Sequence, residues 1–215
     1  MRSRPKGRRK PDDCMQAKRE KSLKTLFFNA FASRRRPLVD QIIQPVVSPY
    51  EAERLRELLV KKTPAELADH ELQAVVESNL WMLTPEAFLY FLPAFLYASL
   101  DSYPSVSVFA SELIGALTQP SRTDVEEALD QLNQASSELG LSPEMIGLLR
   151  KQQLEWADSG APAATFHQRF DNLSQAEGKA ILAFLTAFQE AHGEDFPFNE
   201  LEIAIDRFWG RYRDL

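Results

Sequence analysis

Apolar residues recur at spacings of three and four along most of the chain, which is the period of an amphipathic α-helix. The first stripe runs through Leu23, Phe27 and Phe31, and the last ends on Phe208 and Trp209. The pattern predicts an all-α fold, a compact multi-helix domain of about ten helices. Helical segments are predicted near residues 17–33, 38–44, 49–61, 64–79, 85–101, 105–118, 123–139, 143–157, 163–171, 175–191 and 198–212.

Most of the predicted helices begin with the same local signature, a hydroxyl residue followed by proline, an acid or both. It occurs at Ser48, Thr63, Thr84, Thr123, Ser142 and Ser174. The hydroxyl oxygen accepts a free N–H of the first turn, proline has no N–H to leave unpaired there, and the acid meets the positive end of the helix dipole. Six such starts strengthen the helical prediction and carry no information about function.

Composition narrows the class of protein further. The chain has 8 glycines, fewer than a turn-rich β fold needs, and its single cysteine, Cys14, cannot form an intrachain disulfide. The longest apolar run, residues 87–100, contains Pro93 and is shorter than the roughly 20 residues of a membrane helix. We therefore expect a soluble protein of the cytoplasm. Residues 17–215 are predicted to form one helical domain, with possible sub-halves at 23–118 and 123–213.

Charge is distributed unevenly along the chain. Residues 1–36 contain 13 Lys and Arg against 3 Asp and Glu, whereas the remainder is strongly acidic, so that the whole chain carries a net charge of -6. Residues 1–16 have almost no apolar side chains, which predicts a disordered basic tail. Part of the positive charge lies on the first helix and at Arg34, Arg35 and Arg36, where it could pair with the acidic body.

The basic tail is a candidate nucleic-acid arm, because clustered cations bind phosphates without sequence preference. The cations concerned are Arg2, Arg4, Lys6, Arg8, Arg9 and Lys10. Other interpretations stay open: a solubilising tail, a start codon that is in fact Met15, or a segment that folds back on the acidic body. No aromatic residue interleaves with the cations, so stacking on bases is not indicated.

One central segment resembles a known family. It reads Leu83-Thr84-Pro85-Glu86-Ala87-Phe88 and then Leu92-Pro93-Ala94-Phe95-Leu96, with the aromatic pair Tyr90 and Phe91 between. The segment is similar to one in a family of bacterial all-helical proteins catalogued as a domain of unknown function. The resemblance extends over about residues 23–213 and implies the fold and a bacterial cytoplasmic setting. It implies no catalytic residue.

The same segment is the most aromatic part of the chain and supports two interpretations. Pro93 lies inside a helix that begins at Pro85, so a kink is expected. The helix could line a ligand pocket, for which the candidates are Trp81, Glu86, Tyr90, Pro93 and Tyr97. It could instead be a buried core helix, and this interpretation is favoured because aromatic stripes at helical spacing are usually core.

The sequence contains no recognisable catalytic motif. His70, His167 and His192 are far apart and lack metal-ligand spacing, and we expect neither a metal nor a cofactor. The leading hypothesis is a non-enzymatic, accessory or immunity-like protein that binds another protein, whose acidic body could dock a basic partner. The alternatives are a nucleic-acid-associated protein that acts through its basic tail, and an enzyme with a discontinuous His/carboxylate site.

Overall fold

The computed structural model describes residues 11–45 and 49–213, with the side chains of 19, 21–45 and 50–213. Within these residues the chain forms ten α-helices and no strand, which confirms the predicted all-α fold. The helices are α1 (Pro11–Ala30), α2 (Pro49–Leu59), α3 (Asp69–Glu71), α4 (Pro85–Asp101), α5 (Tyr103–Leu117), α6 (Arg122–Ala135), α7 (Pro143–Asp158), α8 (Ala161–Phe170), α9 (Gln175–His192) and α10 (Glu200–Arg207). In the part of the chain described, each helix is too short or too polar to cross a bilayer.

The helix starts at Thr84, Ser142 and Ser174 are confirmed, because each hydroxyl accepts a backbone N–H three residues on, at 3.1–3.3 Å. The prediction for Thr123 was wrong by two residues. Ser121 caps α6 instead, and its Oγ accepts the N–H of Thr123 itself at 3.2 Å. Ser48 lies outside the described residues.

Several predicted helices differ in the structure. The segment 38–44 forms only a single 3₁₀ turn, Val39–Gln41. The segment 64–79 is divided because two glutamates each cap a new turn: the Glu66 carboxylate accepts the N–H of Thr63 at 2.7 Å, and the Glu71 carboxylate that of Ala68 at 3.0 Å. A π-helical turn and a 3₁₀ turn follow, Leu72–Val76 and Glu77–Met82. At the N-terminus, α1 begins at Pro11, whereas a start near residue 17 was predicted.

Helix α4 lies at the centre of the molecule and packs against α1, α5, α8 and α9. Phe88, Phe91 and Phe95 on this helix are almost completely buried. The helix runs from Pro85 to Asp101 without interruption, although Pro93 lies inside it. A single cluster of buried apolar side chains surrounds it and draws residues from 27 to 212, so both predicted sub-halves contribute to one core.

Helices α6 and α7 form a hairpin at the edge of this core. Each buries one side chain, Leu129 and Ile146 respectively. Ile146 is the buried residue of the apolar series on α7, whereas three other members of that series are exposed. Met145, Leu148 and Trp156 are 49%, 66% and 54% exposed. Because α7 has apolar residues on more than one side, it cannot bury all of them against α6 and α8.

An ion pair in the interior joins the segment after α1 to the start of α9. Arg34 forms a two-point contact with Glu177, in which Nη2 donates to Oε2 at 2.9 Å. The Glu177 side chain is 3% exposed, and it also accepts the backbone N–H of Ser174 at 2.7 Å. The expectation that a cation near the end of α1 pairs with the acidic body is therefore confirmed for Arg34.

The C-terminal turn Trp209–Tyr212 closes the core. Trp209 is completely buried, and its Nε1 donates to the carbonyl of Leu117 at the end of α5 at 2.7 Å. The Tyr212 ring lies so close over Gly178 that a β-carbon there would be 2.2 Å from it. Any larger residue at this point of α9 would displace the Tyr212 ring.

Candidate binding groove

A surface groove lies where the turn Glu77–Met82, α5, α7 and α8 meet. It consists of two adjoining clefts of about 480 and 520 Å³, which share Trp81, Gly115, Ala116, Trp156 and Arg169. We call it the tryptophan groove. Its further lining residues are Gln44, Pro45, Leu80, Val108, Ser111, Glu112, Thr118, Pro120, Pro162, Thr165 and Phe166. Each cleft has the size of a typical small-ligand site, and together they form one longer groove.

Exposed apolar side chains line the tryptophan groove. Trp81 is 55% exposed, Trp156 54% and Val108 59%. Between them, Gly115 leaves the surface of α5 open, since a β-carbon there would meet nothing within 4 Å. The Trp81 indole is held in place, because its Nε1 donates to the carbonyl of Ser78 at 3.2 Å. The groove therefore presents two large indoles to water around an unfilled surface.

A buried arginine also lines the groove. Arg169 is 7% exposed, and its guanidinium carbon lies 4.6 Å from the centre of the Phe88 ring. Within residues 11–45 and 49–213, its Nε has no hydrogen-bond partner. Burial lowers the pKa of the Arg169 guanidinium, and no neighbouring carboxylate in the described part of the chain contributes in the other direction. The groove thus has an unpaired positive charge among aromatic rings.

Comparison with other proteins does not assign this groove. No protein family, curated protein or solved structure matches the chain. The resemblance to the bacterial all-helical family therefore stays a prediction. The chemistry of the groove has to be argued from its own side chains.

The five pocket candidates of the central segment occupy different surroundings. Trp81 lines the tryptophan groove, whereas Glu86 is exposed in the first turn of α4 and Pro93 is buried in the core. Tyr90 packs edge-on against its neighbour Phe91 at 4.9 Å between ring centres, and Tyr97 lies beneath the Lys24 ammonium at 4.2 Å. The structure therefore does not bring all five to one groove.

Sequence reasoning missed Arg169 and Trp156 as site residues, although a signal for the arginine was present. Arg169 lies between Phe166 and Phe170 on a short helix, so helical spacing places it beside buried aromatic positions. Trp156 continues an apolar series on α7, which by itself does not distinguish a buried from an exposed position. Nothing in the sequence indicated that α7 would lie at the edge of the fold.

The three histidines lie apart from one another. His70 is exposed. The Nδ1 of His167 lies 2.9 Å from the carboxylate of Asp171. The His192 ring packs against that of Tyr103, with 4.1 Å between ring centres. Burial lowers the pKa of His192, and the nearby Asp195 opposes the shift. Among the described residues, no group of three or more His, Cys, Asp or Glu side chains could hold a metal ion.

A second cleft, of about 580 Å³, lies between α6 and the segment around α10. Its acidic lining includes Asp124, Glu127, Asp195 and Glu200, beside Phe198, which is 60% exposed. Arg207 already pairs with Asp124 through two contacts, the longer at 2.6 Å. The cleft is therefore partly neutralised from within the chain.

The proposed nucleic-acid arm falls outside the described residues. This applies to all six of its cations, Arg2, Arg4, Lys6, Arg8, Arg9 and Lys10. Arg19, which lies on α1, pairs with Glu190 on α9. Tail-mediated binding of nucleic acid therefore stays a prediction.

Proposed function

We propose that this chain is a non-enzymatic protein-interaction protein that binds a segment of a partner protein in the tryptophan groove. The observation that carries the proposal is the pair Trp81 and Trp156, each more than half exposed on one groove. An indole held open to water loses the stabilisation that burial of its large apolar surface would give. Tryptophan is also the side chain most enriched among residues that dominate binding energy at protein interfaces.

The surroundings of the groove favour a protein segment over a small metabolite. Met145 and Leu148, two to three turns before Trp156 on α7, are also exposed, so the same helix presents further apolar side chains outside the groove. Several exposed large apolar side chains on and near one cleft are typical of a docking site for another chain.

The acidic cleft beside Phe198 is the competing candidate for a partner site. It would take a basic segment, as the acidic body of the chain predicts. The tryptophan groove is favoured because its cation is unpaired, whereas Arg207 already pairs with Asp124 in the acidic cleft. The two sites select oppositely charged partners, which makes them distinguishable.

Alanine at Trp81 or Trp156 is expected to weaken partner binding strongly. A central tryptophan at an interface typically contributes about 2–4 kcal/mol, which corresponds to roughly 30- to 1000-fold in Kd. The partner would be captured from lysate with the full chain, purified, and titrated by calorimetry against W81A and W156A. Tyr50, which is 75% exposed and outside the groove, supplies the matched control Y50A.

The outcomes separate the two candidate surfaces. If a purified partner binds W81A, W156A and the unchanged protein within twofold of one another, the tryptophan groove is not its site. If the E127Q/E200Q variant no longer binds the same partner, the acidic cleft is the site. If light scattering shows a stable dimer that W156A dissociates, the groove binds a second copy of this chain, and the proposal of a different partner is wrong.

A further inference from the structure

Burial of the Arg169 guanidinium costs solvation free energy, and the described part of the chain supplies no ion pair that would offset this cost. A guanidinium removed from water loses several kcal/mol of solvation unless a counter-charge or hydrogen bonds replace the water. The Phe88 ring supplies a cation–π contact at 4.6 Å, which offsets a fraction of this. The Nε donor has no partner, and Glu112, the one acid among the groove's lining residues, forms no ion pair with it. Buried polar groups in native proteins are nearly always paired.

We infer that Arg169 binds a carboxylate of the partner segment, while a large apolar side chain next to that carboxylate packs against Trp81 and Trp156. This inference rests on the proposed function, because it names the chemistry that the groove recognises. A planar guanidinium forms two parallel charge-assisted hydrogen bonds with a carboxylate. The carboxylate is the C-terminus of the partner, which presents it directly beside the last side chain; an Asp or Glu side chain is the alternative that the test excludes.

A carboxylate fits the groove better than a phosphate dianion does. Arg169 is the only cation among the described lining residues, so one negative charge is neutralised and a second would be left among aromatic rings. Glu112 at the Val108 end of the groove adds repulsion toward excess negative charge. A single carboxylate beside an apolar side chain matches both the charge and the lining.

The test uses the full chain and two matched peptide pools. One is a pool of acetylated pentapeptides randomised at the last two positions with a free C-terminal carboxylate, and the other is the same pool as C-terminal amides. A third amidated pool has a fixed internal glutamate. Peptides retained by the protein are sequenced and their Kd values measured by calorimetry. We expect acids to bind about 10- to 100-fold more tightly than their amides, the range for a charge-assisted hydrogen bond.

Arg169→Met should abolish the preference for acids over amides. Methionine keeps most of the aliphatic volume and removes the charge, so binding through the indoles remains. Arg150→Met is the control, since Arg150 lies on α7 and pairs with Asp130. Weak binding of the glutamate-containing amide would support the C-terminus as the bound group, whereas an amide that binds as tightly as the acids would overturn that assignment.

Thermal stability distinguishes a binding role of Arg169 from a structural one. Removing an unpaired buried charge should leave the Tm of the ligand-free R169M protein unchanged or raise it by about 2–4 °C. A clear fall in Tm would show that the arginine stabilises the fold and would overturn the inference.

The binding results separate this inference from the proposed function. If acids and amides bind equally and neither binds to W81A or W156A, the groove binds peptides without recognising a carboxylate. In that case the inference about Arg169 is wrong and the proposed function stands. Failure of every pool to bind would remove the inference. If the purified partner binds W81A and W156A with the same Kd as the unchanged protein, the proposed function is wrong as well.

Discussion

Replacing Glu177 with glutamine is expected to lower the free energy of unfolding by about 2–4 kcal/mol. Glutamine keeps the shape of the side chain but leaves the Arg34 guanidinium without its counter-charge. Arg34 is 27% exposed, so water can recover part of its solvation, which places the loss at the lower end for a broken buried pair. Urea unfolding followed by circular dichroism would measure the change.

The same helix supplies a matched control. Glu190 on α9 also pairs with an arginine, Arg19, but both side chains are more than half exposed. Because exposed ion pairs contribute about 1 kcal/mol or less, E190Q should change stability far less than E177Q. Equal losses in the two variants would show that burial of the Arg34–Glu177 pair is not what stabilises the junction of α1 and α9.

The Glu177 contribution should also depend on pH. Burial by itself raises the pKa of the Glu177 carboxyl, but hydrogen bonds from Arg34 and Ser174 outweigh burial, so the folded-state pKa lies below its ordinary value of 4.5. A lowered folded-state pKa means that the stabilisation is complete above pH 4.5 and is lost as the pH falls through the folded-state pKa. The difference in stability between E177Q and the unchanged chain should therefore shrink in acid.

Replacing Trp209 with alanine is expected to destabilise the protein by about 3–5 kcal/mol. The side chain is completely buried and packs against Phe170 at 5.1 Å and Phe208 at 4.9 Å between ring centres. Alanine would leave a cavity among these rings and remove the hydrogen bond to the Leu117 carbonyl.

Two further substitutions divide the Trp209 effect into its parts. W209F keeps an aromatic ring and removes the indole N–H, so it should cost roughly 1–3 kcal/mol through the unpaired Leu117 carbonyl and the smaller ring. W156A, at a half-exposed tryptophan, should cost far less than W209A. A W156A loss as large as that of W209A would contradict the exposure on which the tryptophan groove depends.

The helices were predictable because their signals are local. The caps at Thr84 and Ser174 and the apolar stripe of α4 are determined by residues within one or two turns of each other. The prediction failed at residues 64–79, where the carboxylates of Glu66 and Glu71 each accept a backbone N–H three residues earlier and start a new turn. A continuous apolar pattern does not show that competing caps divide it.

The groove was only partly predictable, since it depends on where whole helices lie. Trp81 was singled out for its aromatic surroundings, yet its position beside Trp156 requires α7 and the turn Glu77–Met82 to meet in space. Sequence spacing can place Arg169 on the aromatic side of α8, but it cannot show that the charge lacks a partner. That property requires knowledge of every neighbouring element, and those neighbours come from distant parts of the chain.

The placement of the three tryptophans makes the protein its own optical reporter. Trp209, enclosed in the core, should emit at short wavelength until the chain unfolds. Trp81 and Trp156 should emit at long wavelength and be open to collisional quenchers until a partner covers them. Occupancy of the groove and loss of the fold are therefore expected to shift the emission in opposite directions, and both can be followed in unlabelled protein.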